Sequence, residues 1–371
     1  MKVLICIPCL LTGGTEIQTL NLVQALVEGG HEVTTVCYFE FSPDMVTRYE
    51  QAGCKVILLN AEGKRPVGIC STLTFLFKGL RRAVNEIKPD VAHVQYMAPG
   101  AIPILILRLL GIKKIIATTH TAADIYPSLS LLHFVVSHVL AAFQCITLRA
   151  EESYFGSSRL FSEFYELKKK GNHFTIYNAL PYGMLTCNNR TIVNPNVIGV
   201  VSRLEPIKGM DLVIPAFAEV KKYHPEVKLI VVGDGALKSA MVNQAEELHL
   251  MDSIEWAGRQ PQEKLHEWYG KMDIVLMPSR SEGFGLTAIE AMANGCVVVA
   301  SNAGGLPEVV KDREVGLLHN IEDVKDISEK ILILLDDSKL YEKCQQALHN
   351  YVQQYSFIRY ASAICSLYSK L

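Results

Sequence analysis

Short apolar runs alternate with longer stretches of helical spacing through the first half of the chain. The runs at residues 3–7, 32–37, 55–59, 91–95, 114–119, 145–148 and 173–177 are largely apolar and β-rich. They lack the in–out alternation of a half-exposed strand, so they predict a parallel sheet covered on both faces. Helical periods fall between them at residues 16–27, 73–87, 101–110 and 129–142. Repeated βα units of this kind build an open, doubly wound α/β domain.

The pattern breaks at residues 179–196, where Pro181, Gly183 and Pro195 punctuate a segment with no helical period and a polar run at 188–190. It restarts with apolar runs at 197–201, 228–232, 253–256, 274–277 and 297–300, each followed by a helix or turn. Two α/β domains are predicted: residues 1–178, then a linker at 179–196, then residues 197–350. Residues 351–371 are expected to form a helix that packs back on the first domain. Doubly wound domains bind ligands at the carboxyl ends of their strands, so two facing each other would enclose a deep cleft with two half-sites.

Composition narrows the function. Apolar residues make up 49% of the 371, enough for large cores, and 36 basic against 38 acidic residues leave a net charge of -2. That balance excludes a globally basic nucleic-acid binder, and no nucleic-acid partner is expected. The ten cysteines have no disulfide-scaffold or zinc-site spacing, which favours a reducing compartment. Cys6 and Cys9 form a CxxC, but in a strand and its exit rather than at a helix start, which argues against redox chemistry. The opening MKVLICIPCLL resembles a short signal peptide; Gly13, Gly14 and a mixed helix follow without a cleavage pattern, so a buried first strand is expected.

No stretch reaches the roughly 18 apolar residues of a spanning helix. Residues 131–148 come closest and are interrupted by His133, Ser137, His138 and Gln144. The apolar stretch 67–77 lies between Lys64 and Arg65 on one side and Lys78, Arg81 and Arg82 on the other; Lys168, Lys169 and Lys170 form a second basic cluster. The pattern suits either a helix lying on an anionic membrane surface or a core helix with a solvated basic end.

Three segments carry candidate chemistry. Gly13 and Gly14 follow the first strand and open a helix, where they serve a tight turn or an anion site equally well; the run TGGTE is not a GxGxxG, so a nicotinamide or flavin site is weakly supported. In VSRLEPIKGMD, Arg203 lies at a strand exit and Lys208 just before the next helix, a sensible receptor for a diphosphate. In PSRSEGFGLTAIE, Glu282 falls in a loop and Glu290 about one turn into a helix. A carboxylate accepts two hydroxyl hydrogen bonds from a sugar, and backbone N–H groups of residues 283–286 can meet a phosphate.

With these residues the chain resembles the retaining glycosyltransferases of family 4, which have the GT-B fold of two Rossmann-like domains facing across a deep cleft. Glu282 and Glu290 match the family's E-x7-E motif, with P-S-x-x-E-G-F-G-L and E-A-M-A-x-G around it. Arg203 and Lys208-Gly209 match its R-L…K-G element, Val232-Gly233-Asp234-Gly235 its V-G-x-G turn, and Gly304-Gly305-Leu306-Pro307-Glu308 the loop after the next strand. Asn178 corresponds to the asparagine closing the first domain.

The resemblance implies that Glu290 binds the donor ribose and Glu282 the donor-sugar hydroxyls. It makes Arg203 and Lys208 the diphosphate clamp, helped by the backbone of Gly14, Phe284, Gly285 and Leu286. His120, ending a strand in ATTH, corresponds to the histidine beside the reaction centre, and Arg259, followed by Gln260, to the base-pocket segment. The implied catalytic set is His120, Arg203, Lys208 and Glu282. Three departures stand out: Thr121 follows the histidine where many relatives have Asp, Arg149 in the ITLRAE strand stands where they usually have Ser, and Ala179-Leu180 follow Asn178 where they usually have Gly-Val-Asp; the last two concern the acceptor side or hinge.

The implied reaction is transfer of a hexosyl-type group from a nucleotide diphosphate sugar to a hydroxyl of a glycan or lipid-linked acceptor, with retention, in surface polysaccharide or glycolipid biosynthesis. The nucleotide sugar is a substrate, and neither a cofactor nor a metal is expected. The expected location is the cytoplasm, with peripheral association at an anionic membrane face. A nucleotide-sugar epimerase of the same fold, or a non-catalytic binding protein, are the rival readings.

Overall fold

The computed structural model describes residues 1–61, 65–95, 101–121, 128–184 and 194–371. They form two compact units, Met1–Tyr182 with Ser356–Leu371, and Gly183–Tyr355. Lys64 and residues 185–193, which include the polar run 188–190, lie outside the described residues.

The first unit contains β1 (Lys2–Ile7), α1 (Gly14–Glu28), β2 (Glu32–Cys37), α2 (Pro43–Gln51), β3 (Lys55–Leu58), α3 (Ile69–Ile87) and β4 (Val91–Gln95). It continues through α4 (Ile102–Leu109), β5 (Lys114–Thr118), α5 (Leu129–His138), β6 (Ala142–Cys145), α6 (Leu148–Phe155) and β7 (Asn172–Thr175). The strands make one parallel sheet in the order β3-β2-β1-β4-β5-β6-β7. The winding direction reverses between β1 and β4, so right-handed crossovers place helices on both faces. Leu76, Leu80, Ile104, Leu107, Leu132 and Val135 of α3, α4 and α5 share one core. Leu22, Leu26, Met45 and Tyr49 of α1 and α2 belong to the core on the other face. Burial on both sides explains why these strands read as continuous apolar runs.

The second unit contains β8 (Val197–Val201), α7 (Val213–Tyr223), β9 (Lys228–Val232), α8 (Lys238–Glu247), β10 (Ile254–Gly258), α9 (Leu265–Tyr269) and β11 (Ile274–Met277). Then follow α10 (Leu286–Ala293), β12 (Val297–Ser301), α11 (Leu306–Val309), β13 (Gly316–His319), α12 (Val324–Asp336) and α13 (Ser338–Val352). Its parallel sheet runs β10-β9-β8-β11-β12-β13, with the reversal between β8 and β11. The last helix, α14 (Phe357–Ser369), lies in the first unit. It buries Tyr360, Ile364 and Leu367 in the core shared with α1, and the Tyr368 hydroxyl meets His93 Nδ1 at 2.8 Å.

Several boundaries differ from the sequence pattern. The sixth strand ends at Cys145, and ITLRAE is not a strand: α6 begins at Leu148, capped by the Thr147 hydroxyl, which accepts from the Ala150 N–H at 3.1 Å. Ile146 and Leu148 extend the apolar run past the point where the cap turns the backbone. β13 was not predicted; it has four residues, and Gly316 at its start weakens the strand signal. Gly68, at φ 89°, starts α3 four residues before the helical period becomes visible.

Residues 179–182 are tied to α1. Gln18 accepts from the Ala179 N–H at 3.0 Å and donates to its carbonyl at 2.5 Å. Asn21 donates to Leu180 O at 3.1 Å and accepts from the Tyr182 N–H at 3.0 Å. Two buried amides on one helix thereby satisfy the backbone of a segment that sequence pattern alone reads as linker.

Candidate functional site

Open α/β sheets bind ligands where the strand order reverses, at the carboxyl ends of the two strands involved. In the second unit those strands are β8 and β11, whose exit loops carry Lys208 and Glu282. Lys208 Nζ donates to Glu282 Oε2 at 2.6 Å, and both side chains are mostly shielded, at 20% and 17% exposure.

Backbone packing sets this separation. Gly209, at φ +64°, follows Lys208, and a Cβ there would fall 2.0 Å from the Pro278 carbonyl oxygen. Gly304, at φ +52°, lies against Glu282 so closely that a Cβ would fall 1.9 Å from its carbonyl oxygen. Gly305 N–H donates to that same oxygen at 2.9 Å. Only glycine combines the left-handed backbone with such an approach.

Arg280 joins the two loops from the other side. Its backbone N–H donates to Ile207 O at 3.0 Å, and its guanidinium donates to both Asp211 oxygens at 2.7 and 2.8 Å, to Glu322 at 2.6 Å and to the Pro206 carbonyl. The Arg280 guanidinium holds the Asp211 carboxyl below its usual range. Arg280, Asp211 and Glu322 were not singled out from sequence, because a charged residue in a loop reads as solvated until its partners are placed.

Glu290 lies inside α10 and is 5% exposed. Gln262 Nε2 donates to its Oε1 at 2.9 Å, and the Tyr269 hydroxyl donates to Oε2 at 3.0 Å. Burial pushes the carboxyl up to about 7, against the opposing effect of those two donors. Gln262 and Tyr269 were likewise missed; neither forms a motif with Glu290 in sequence. Phe284 and Gly285 are buried at the head of α10, with Gly285 as its N-cap at φ 105°. Leu286 opens the helix, whose N-terminus carries the positive end of the dipole. Arg203 and Arg259 are exposed beyond β8 and β10, and neither side chain has a hydrogen bond or ion pair among the described residues.

Two candidates belong to the first unit. Gly14 is the exposed first residue of α1. His120 follows β5, is 8% exposed, and its Nε2 lies 3.0 Å from Gln95 Oε1, a geometry in which the ring N–H donates. Burial pushes this imidazole down to about 4, so it is neutral near pH 7. Gln95, at the end of β4, was not noticed in the sequence; its buried amide nitrogen has no partner among the described residues. Thr121 accepts the Tyr154 hydroxyl on its backbone carbonyl at 2.8 Å, and Arg149 is exposed at the start of α6.

Residues 188–350 match the family Glycosyl transferases group 1, and residues 12–151 match Glycosyltransferase Family 4. The chain belongs to the family-4 glycosyltransferases. Among these, the D-inositol 3-phosphate glycosyltransferase of Segniliparus rotundus is 41% identical over 126 residues, 33% of this chain and 28% of the relative. The corresponding match to the Corynebacterium efficiens enzyme covers 43% of it, so the chain spans less than half the length of these relatives. The N-acetyl-alpha-D-glucosaminyl L-malate synthase of Bacillus anthracis is 27% identical over 299 residues, 73% of this chain and 74% of that one. Anabaena HepE, solved in complex with UDP, matches over 100% of both chains with a TM-score of 0.80 at 17% identity. That likeness identifies the GT-B fold, as expected of the family.

Proposed function

We propose that the chain is a retaining glycosyltransferase that moves a hexosyl-type group from a nucleotide diphosphate sugar to a hydroxyl of a glycan or lipid-linked acceptor. The observation that carries this is the shielded Lys208–Glu282 pair at the β8/β11 reversal, with buried Glu290 eight residues further along the same loop-to-helix segment. A cation for a diphosphate and two carboxylates for polyols, in one unit, suit the two ends of a nucleotide sugar.

In this reading Lys208, Arg203 and the α10 N-terminus stabilise the negative charge that gathers on the leaving diphosphate as the glycosidic bond breaks. Glu290 holds the ribose and Glu282 the sugar hydroxyls. The acceptor hydroxyl enters on the leaving-group side and passes its proton to a donor phosphate oxygen. Neutral His120, Gly14 and Arg259 take the sugar-side, phosphate and base-pocket roles that the family resemblance implies. The Anabaena relative was solved with UDP, which makes uridine donors the first to test. Incubation with UDP-, GDP- and ADP-sugars and a saccharide panel should give a new glycoside from one donor class, and that donor should raise the melting temperature. No product and no thermal protection from any donor would reject the proposal.

The acceptor side is proposed to lie against an anionic membrane at its cytoplasmic face. No helix among the described residues is long and apolar enough to cross a membrane. The α3 region leaves Val67 92% and Ile69 76% exposed while Leu76 is fully buried, and Lys78, Arg81 and Arg82 also face solvent. An outward apolar edge beside outward cations supports surface association more than a buried helix does. Arg65 is removed from the attracting set, since Glu40 holds its guanidinium and the Phe39 ring lies 4.7 Å from it.

A further inference from the structure

We infer that the Lys208–Glu282 ion pair makes the site discriminate against the free nucleotide diphosphate in favour of the intact donor. The inference rests on the proposed roles of Lys208 and Glu282 in donor binding. It concerns how the two charges act on each other, which those separate roles do not specify.

The carboxylate oxygen stands 2.6 Å from the ammonium that would receive the diphosphate. A diphosphate approaching Lys208 is therefore attracted by the cation and repelled, at nearly the same range, by Glu282. The two side chains are shielded enough for the repulsion to persist at moderate salt. The backbones that carry the two groups are held: the Gly305 N–H donates to the Glu282 carbonyl, and Gly304 and Gly209 approach the Glu282 and Pro278 carbonyls closely. Arg280 fastens the two loops together through Asp211, Pro206 and Ile207.

An intact donor offsets the repulsion, because its sugar hydroxyls donate to the Glu282 oxygens that remain open. The free nucleotide offers no such hydroxyls. Once the proton taken from the acceptor is released to solvent, the free diphosphate also carries an additional negative charge beside the same carboxylate. The pair thus favours donor entry and nucleotide exit at one position, where product release would otherwise slow turnover.

Isothermal titration with UDP, GDP and ADP, together with steady-state transfer, tests this on Glu282→Gln, Glu282→Asp, Lys208→Met and the Glu282→Gln/Lys208→Met double variant. Glu282→Gln should bind the nucleotide that the native protein binds about fivefold more tightly, while its kcat/KM for the donor falls. Glu282→Asp keeps the charge and should show no tightening, which guards against a folding artefact. In the Lys208→Met background the Gln substitution should still tighten nucleotide binding, because the carboxylate then repels the diphosphate with no cation beside it. Unchanged or weaker nucleotide binding by Glu282→Gln, with reduced transfer, would overturn the inference and leave the transferase reading standing. Loss of the gain in the Lys208→Met background would also overturn it. Unchanged transfer by Glu282→Gln, or no binding of any of the three nucleotides to the native protein, would instead overturn the donor-site reading itself.

Discussion

Arg280 grips the Asp211 carboxylate with both arms of its guanidinium, Nη1 to Oδ1 at 2.7 Å and Nη2 to Oδ2 at 2.8 Å. Asp211 lies three residues beyond Lys208, and Arg280 two before Glu282. The bidentate contact therefore joins the two loops that carry the charges proposed for the donor site. In that reading Arg280 is a positioning residue, acting through Lys208 and Glu282. Arg280→Ala and Asp211→Asn should each lower kcat/KM about tenfold or more, and the double variant should lose little beyond either single change. Comparing kcat and KM with melting temperature checks this. A lowered melting temperature with unchanged kcat per folded molecule would make the contact purely structural.

Glu290 should make stability depend on pH near neutrality. Its carboxyl, at about 7 when folded, lies above the unfolded value near 4.5, so the unfolded chain releases the proton first. Its contribution is complete below about pH 4.5 and is lost as pH rises through 7. Glu290→Gln should therefore gain stability relative to the native chain between pH 5 and pH 8, by up to about 3 kcal/mol. The same variant should bind nucleotide more weakly. Denaturant melts at the two pH values check the first statement, and calorimetry checks the second.

His120 should act in the opposite direction. Its imidazole is lowered to about 4 in the folded chain, below the unfolded value near 6.5, so the unfolded state takes up the proton first as pH falls. The stabilisation is full above about pH 6.5 and is lost progressively down to about pH 4. His120→Gln should flatten the acid side of the stability profile over that window. An unaltered profile would show that the ring is not held neutral. The native activity profile should show no break near 6.5 from this residue.

The proposed membrane association rests on cations that the structure leaves exposed. Sedimentation with anionic liposomes should be strong at low salt and weak at high salt. Replacing Lys78, Arg81 and Arg82 with Ser should reduce it, whereas the paired change Arg65→Ser with Glu40→Gln should change it little, since the two charges offset each other. No sedimentation at low salt would remove the membrane from the proposal and leave the transferase reading intact.

The alternation of apolar runs and helical periods was sufficient to place two parallel α/β sheets, because strands buried on both faces need continuous apolar side chains wherever they pair. Motif spacing likewise placed Lys208 before a helix, Glu282 in a loop and Glu290 in the helix that follows it, since local turn and helix geometry fixes residues so close in the chain. The chain direction at Thr147 was not legible, because one hydroxyl cap outweighed an apolar run that continued past it. What only the tertiary structure decided were contacts between residues far apart in sequence. Lys208 meets Glu282 across 74 positions, Arg280 reaches Asp211 across 69, and Gln262 and Tyr269 close on Glu290 across 28 and 21. Each depends on which strands are neighbours in the sheet and on how closely glycines let their exit loops approach. A polar residue's own sequence neighbourhood carries no record of that distance, so whether its charge is solvated, paired or buried emerges only once the sheet is assembled.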